Sequence, residues 1–189
     1  MKITLIAGSN RKDASSTKLL RYIAGRIRSQ GHDARIVDLY ETPLPFYTPD
    51  AESVHPNVAA LLEAVRSADA LAFATPEYHG SVSGVLKNAL DFLDGDAVRG
   101  KPTLSVSASG GPVGVASLTQ LQAIVRNLHG VNSPEWVSLG GGAQRFASDG
   151  SPADAGVRQR VERAVDTFLA LASALGRSPE RAGEGRGRA

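Results

Sequence analysis

Three short stretches hold side chains whose types and spacing are suited to chemistry. The first is Gly8-Ser9-Asn10-Arg11-Lys12-Asp13-Ala14-Ser15-Ser16-Thr17. A nucleotide-triphosphate loop would need glycine five positions after Gly8, then Lys and Ser or Thr, but Asp13, Ala14 and Ser15 stand there. A dinucleotide fingerprint would need glycines where Asn10 and Asp13 stand, so both patterns fail. What remains is a hydroxyl-rich loop opening a helix, with Ser9, Ser16 and Thr17 as O–H donors and Arg11 as a forked cation. A helix start adds free N–H groups and the positive end of the helix dipole. That set suits a terminal phosphate monoester better than a bridging pyrophosphate, although an ordinary capped helix start has the same residues.

The second stretch, Thr75-Pro76-Glu77-Tyr78-His79-Gly80-Ser81, gathers a proline, an acid, an aromatic, an imidazole and a glycine. Tyr78 offers a flat apolar face with a polar tip, and Gly80 lets a ligand come close to the backbone. Exposed N–H groups here suit the polar edge of a planar heterocycle. His79 taken alone reads as a surface histidine; the segment as a whole reads as a site. The third stretch, Ser107-Ala108-Ser109-Gly110-Gly111, is a small-residue turn.

These stretches need elements to hold them. Lys2–Ala7 is short, apolar and β-branched, a strand. Leu19, Leu20, Ile23, Ala24 and Ile27 recur at helical spacing, with Ser16 or Thr17 as N-cap and Gly31 as the stop. Ala34–Leu39 is a second strand, and Glu41–His55, with three prolines, is a loop. Pro56 opens a helix carrying Val58, Leu61, Leu62 and Val65 on one face. Ala70–Ala74 reads as a strand buried on both faces. Val85–Leu93 is a helix, Thr103–Ser107 a strand, Ala116–Leu128 a helix, Glu135–Leu139 a fifth strand and Gly140–Gly150 a loop. Val157–Leu175 is a long amphipathic helix. Strands alternating with helices predict an α/β three-layer sandwich: a five-stranded parallel sheet in the flavodoxin-like order 2-1-3-4-5, with helices on both faces. Ligands in such folds sit at the carboxyl ends of the strands, where the three stretches emerge.

GSNR followed by SST, then TPEYHGSVSGVLKNALDFL, resembles the NADPH-dependent FMN reductase family of flavodoxin-like flavoproteins. The resemblance in element order runs from about Lys2 to Leu175. It implies that Ser9, Arg11, Ser16 and Thr17 hold the FMN phosphate, and that Pro76, Glu77, Tyr78, His79 and Gly80 lie along the isoalloxazine. Ser109, Gly110 and Gly111 match the loop near the ring's pyrimidine edge. His79 stands where the family often has Asn, and Ala14 where many members have Ser. The implied activity is hydride transfer from NADPH (or NADH) to FMN, the reduced flavin then passing electrons to a small-molecule acceptor or a flavin-using monooxygenase. The hydride acceptor is flavin N5, and no side chain is assigned as catalytic; His79 and Gly80 are the nearest candidates. Two alternatives are an FMN-bound quinone, azo or chromate reductase, and a non-enzymatic flavodoxin-like electron carrier. Lys87–Leu93 matches a helix that packs against a partner subunit, so the resemblance implies a homodimer or homotetramer.

Composition sets limits on these readings. The 189 residues fit one domain, read as 1–176 plus a disordered tail, 177–189. With no cysteine, disulfides, zinc–thiolate sites and thiol nucleophiles are excluded, and the four histidines have no metal-ligand spacing. The net charge of +2 resides in the tail, where Arg177, Arg181, Arg186 and Arg188 face Glu180 and Glu184. A neutral body argues against a nucleic-acid surface and against an acidic electron carrier. No apolar run approaches the roughly 18 residues of a membrane span, and the apolar start is too short for a signal peptide, which reads as a cytoplasmic protein.

Overall fold

The computed structural model describes residues 1–111 and 113–176. The expected disordered tail, 177–189, and Pro112 of the third stretch lie outside the described residues. Six strands and six α-helices follow in the order β1 (Lys2–Ala7), α1 (Ser15–Ser29), β2 (Asp33–Asp38), α2 (Pro56–Arg66), β3 (Ala70–Pro76), α3 (Gly84–Asp91), α4 (Gly95–Val98), β4 (Pro102–Ser109), α5 (Val115–Asn127), β5 (Val131–Asn132), β6 (Val137–Gly140) and α6 (Ala155–Gly176), with a 3-10 turn at Gly141–Gln144.

The pairings between these strands are parallel, in the order β2-β1-β3-β4-β5, with β6 also on β4. This is the expected flavodoxin-like order. The fifth strand position differs in detail. It is split: β5 pairs with Pro102 and Thr103, and β6 pairs with Val106 to Ser109. Pro134 lies in the gap, where a residue without an N–H cannot carry a ladder. Glu135 and Trp136, expected in the strand, fall outside it.

The two faces of the sheet differ in side-chain size. Ala70, Ala72 and Ala74 of β3 lie on one face with Ile3 and Leu5, under α1 and α6. Leu71 and Phe73 lie on the other with Ile6, under α2, α3 and α5. The unbroken apolar run of β3 thus conceals an alternation of small and large side chains, set by how closely each helix layer approaches. The registers Ala7 with Ala74, Pro76 with Ala108, and Ser109 with Gly140 step the strand ends across one edge of the sheet. All three chemical stretches leave the sheet from that edge.

α6 is fastened to α1 by polar contacts as well as by Phe168 and Val165. Tyr22 donates its hydroxyl to Glu162 at 2.7 Å, and Asp166 accepts from Arg26 and from Gln30. Burial and the adjacent Glu162 carboxylate push the Tyr22 phenol up to about 12. Since the folded value is raised above the unfolded one, its stabilising contribution is complete below about pH 10 and is lost as pH rises towards about 12. Tyr22→Phe is expected to flatten this alkaline fall in stability, measured by thermal melts across that range.

Candidate active site

The two loops at the switch between β1 and β3 are locked together at Gly8. Its N–H donates to the Ala74 carbonyl at 2.7 Å. A Cβ on Gly8 would lie 2.6 Å from the Leu86 Cβ and 2.7 Å from the Ala74 oxygen, so no other residue fits. The buried Ser83 side chain completes the joint. It caps α3 by accepting from the Leu86 N–H at 3.1 Å, and donates to the Gly8 carbonyl at 2.5 Å. The Ser83 N–H in turn donates to the Thr75 hydroxyl at 2.9 Å.

From this joint the first loop runs into α1. Ser9 is fully buried, and its Oγ accepts from the Arg11 N–H at 3.2 Å. The expected cap by Ser16 or Thr17 is not what forms. The N-cap is Ala14, which makes no side-chain capping bond, and the helix starts at Ser15. Ser16 and Thr17 sit inside the first turn, buried, with hydroxyls that find no partner. The first-turn N–H groups are likewise uncapped, and no acidic residue occupies that turn. Buried hydroxyls and helix donors left open together are costly unless something else satisfies them.

The second loop is a tight hairpin. Tyr78 and Ser81 exchange both backbone bonds at 3.1 Å, with His79 at φ 52° and Gly80 at φ 71°. Two consecutive positive φ values make a type I′ turn, whose preferred pair is Asn-Gly. Histidine is among the residues enriched in the left-handed region, which is why it substitutes for Asn here. Among the described residues the His79 and Gly80 N–H groups donate to no protein acceptor. Glu77 is anchored: its N–H donates to Ala108, and its carboxylate accepts from the Ser117 N–H at 2.8 Å, against the first turn of α5.

The third loop is held from below and from the side. The Ser107 and Ser117 hydroxyls are 2.9 Å apart, Ser109 Oγ accepts from the Gly111 N–H, and Gln144 donates its side-chain amide to the Ser109 carbonyl.

The three loops converge on one cleft of about 360 Å³, within the range of small-ligand pockets. Ser9, Arg11, Ser16, Pro76, Glu77, Tyr78 and Gly110 line it, seven of the residues singled out from the sequence. Thr17, His79, Gly80, Ser109 and Gly111 stand behind or beside that lining. The structure adds Ala14, Ser15, Ala108 and Gln144. Gln144 had no local signal: it arrives from the far end of the chain, after β6. Ser83 had one, a serine just before an apolar helical run, the pattern of an N-cap.

A family model described as NADPH-dependent FMN reductase matches residues 1–144. The chain is 37% identical over 143 residues to an FMN-dependent NADPH-azoreductase of Staphylococcus haemolyticus, covering 73% of this chain and 76% of the relative. Among solved structures, the flavoenzyme NAD(P)H:(acceptor) oxidoreductase FerB of Paracoccus denitrificans superposes with a TM-score of 0.77, at 24% identity, over 92% of this chain and 97% of that one. A flavodoxin of Streptococcus pneumonia TIGR4 shares the fold at a TM-score of 0.63 and 14% identity, over 90% and 99% of the two chains.

Ser83→Ala removes a helix cap and leaves the buried Gly8 carbonyl unpaired. The expected loss is about 2–3 kcal/mol, the sum of a cap and an unsatisfied acceptor, read from denaturant unfolding.

Proposed function

The chain belongs to the NADPH-dependent FMN reductase family, and from that premise we propose that the cleft holds FMN with its phosphate at the start of α1. The protein is an NAD(P)H-dependent oxidoreductase that uses FMN. FMN held there would supply the redox chemistry, hydride acceptance from a reduced nicotinamide and delivery of two electrons to an acceptor.

The observation that carries the assignment is the set of unsatisfied donors at one end of the cleft. A phosphate monoester needs several O–H and N–H donors and a positive field. The uncapped first turn of α1, the partnerless Ser16 and Thr17 hydroxyls and the Arg11 guanidinium provide both. Ser9 shapes the loop by accepting from the Arg11 N–H, which leaves its O–H free to donate to the phosphate as well.

The ring is assigned to the other end, between Pro76–Gly80 and Ser109–Gly111. Tyr78, 45% exposed, stands at the mouth of the cleft. The free His79 and Gly80 N–H groups are the candidates to donate to the ring at its reacting edge, which needs backbone and not an imidazole. Glu77 belongs to this segment as its anchor to α5, since its carboxylate is already taken by Ser117. Ser109 shapes the third loop by accepting from the Gly111 N–H, and Gly110 beside it lines the cleft.

The acceptor is a small molecule, taken up at the open side of the cleft. An azo compound is a specific second reading, favoured by the 37% identical relative that is named for that activity. No helix among the described residues is long and apolar enough to cross a membrane, and we take the cytoplasm, where reduced nicotinamides are available, as the place of work.

We also propose a homodimer or homotetramer. A groove of about 510 Å³ lies between the 45–56 loop, α2 and Phe92 just after α3, with Leu62 in its lining and Phe46 92% exposed. Asn88 of α3 fastens this loop by accepting from the Tyr47 N–H and donating to the Pro45 carbonyl. Apolar side chains held exposed around a groove mark a contact surface.

Purified protein is expected to show a flavin spectrum that bleaches on anaerobic addition of NADPH. Absence of flavin, with no binding or turnover of added FMN, would sink the phosphate assignment. Arg11→Ala is expected to raise the FMN dissociation constant about tenfold or more, the value of a charge-assisted bond, with little change in hydride transfer in protein saturated with FMN. Phe46→Asp is expected to shift the sedimentation of the protein towards the monomer; an unchanged coefficient moves the interface elsewhere.

A further inference from the structure

Gln120 lies outside the cleft lining, on the exposed side of α5. Its carboxamide nevertheless spans the Tyr78–Ser81 turn. Oε1 accepts from the Ser81 hydroxyl at 2.5 Å, and Nε2 donates to the Gly80 carbonyl at 3.3 Å. The Gly80 carbonyl fixes the orientation of the amide, because a flipped group would set oxygen against oxygen.

One turn earlier on the same face of α5, the Ser117 N–H holds the Glu77 carboxylate. Two successive turns of the helix therefore grip the beginning and the end of segment 77–81. The helix start is itself seated on the sheet through the Ser107–Ser117 hydroxyl pair and the Gly114 N–H on Ser138 Oγ.

The internal bonds of the turn set its shape but not its height over the cleft. The paired backbone bonds between Tyr78 and Ser81 travel with the turn as a rigid body. The Glu77 N–H on Ala108 ties only its base. Among the described residues, Gln120 makes the side-chain bonds to residues 79–81.

We propose that Gln120 is a positioning residue: by clamping Gly80 and Ser81 to α5, it sets where the free His79 and Gly80 N–H groups stand against the reacting edge of the flavin. The inference rests on the reading of this cleft as the FMN site. It assigns to the turn a rigid external support that preorganises two backbone donors before the ligand arrives.

The test uses Gln120→Met, which keeps length and packing while removing both bonds, beside Ser81→Ala, which removes one. Amide hydrogen exchange is measured in the apoprotein at Tyr78 and Ser81, whose N–H groups are bonded within the turn. FMN affinity is measured by fluorescence titration, and kcat and KM for NADPH in the loaded enzyme. In Gln120→Met, exchange at the two amides is expected to quicken and the FMN dissociation constant to rise, each about fivefold, the value of one net hydrogen bond. The kcat is expected to fall with KM for NADPH nearly unchanged, and Ser81→Ala to show a smaller effect of the same kind. Quickened exchange with unchanged FMN affinity and unchanged kcat would reduce Gln120 to a structural contact and overturn the proposal. Unchanged exchange would overturn it too. If wild-type protein binds no FMN, the underlying reading fails and the proposal with it, while the apoprotein exchange still reports whether Gln120 holds the turn.

Discussion

At Gly8 two strands and a helix meet with no space for a methyl group. The backbone of β1 turns away there by bonding to Ala74 of β3, while the side of α3 presses on the same point through Leu86. Ser83 converts this crowding into a joint, serving as helix cap and as donor to the Gly8 carbonyl in one buried hydroxyl. The loops that leave β1 and β3 are thereby fixed with respect to each other before any side chain of the cleft is considered. A slack joint would let the two ends of the cleft drift apart by the ångström or so that separates tight from loose ligand binding.

The sheet extends that constraint outward. β4 lies beside β3 in register, so the third loop emerges next to the second, and α5 returns over it to hold Glu77. The polar groups of this region serve mostly to hold one another. Ser107, Ser117, Ser109, Ser138 and Glu77 each spend a bond on backbone or on a neighbouring hydroxyl. What they leave open is narrow: the first turn of α1 with its two buried hydroxyls, and two N–H groups of a hairpin turn. A cleft built this way is stiff around its rim and unsatisfied where a ligand is needed, the expected signature of a preorganised site.

Much of this was legible in the sequence, and the reasons are local. The strands at Lys2–Ala7 and Ala70–Ala74 declare themselves by β-branched and unbroken apolar runs, and strand alternation with helices gives the order of the sheet. The first two loops are legible because turn formers stand there beside Arg11 in one and Glu77, Tyr78 and His79 in the other. Other features depend on distance through space. Whether Ser16 caps a helix or faces inward without a partner depends on where Ala14 turns, which spacing does not reveal. The break between β5 and β6 turns on Pro134, whose missing N–H matters only because β4 is its neighbour. Gln144 and Gln120 come from elements well after the loops they support, and a glutamine carries no signal of its own. The anchoring role of Glu77 was hidden likewise, since a carboxylate in a turn reads equally as a ligand contact or as a partner for a helix start.

The contacts between α1 and α6 have a consequence for the order in which the protein is made. Tyr22 meets Glu162 across a sequence separation of 140 residues, and Arg26 meets Asp166 across the same span. α1 begins with the turn that bears Ser16 and Thr17, yet one flank of that helix is covered only by the last helix described. On the ribosome, α1 therefore waits for nearly the whole chain before its packing is complete. Until α6 has left the exit tunnel, the nascent chain has Ser16 and Thr17 but not the packing that orders the helix they begin. Completion of the scaffold behind this end of the cleft is in this way a late event, which waits for the synthesis of α6.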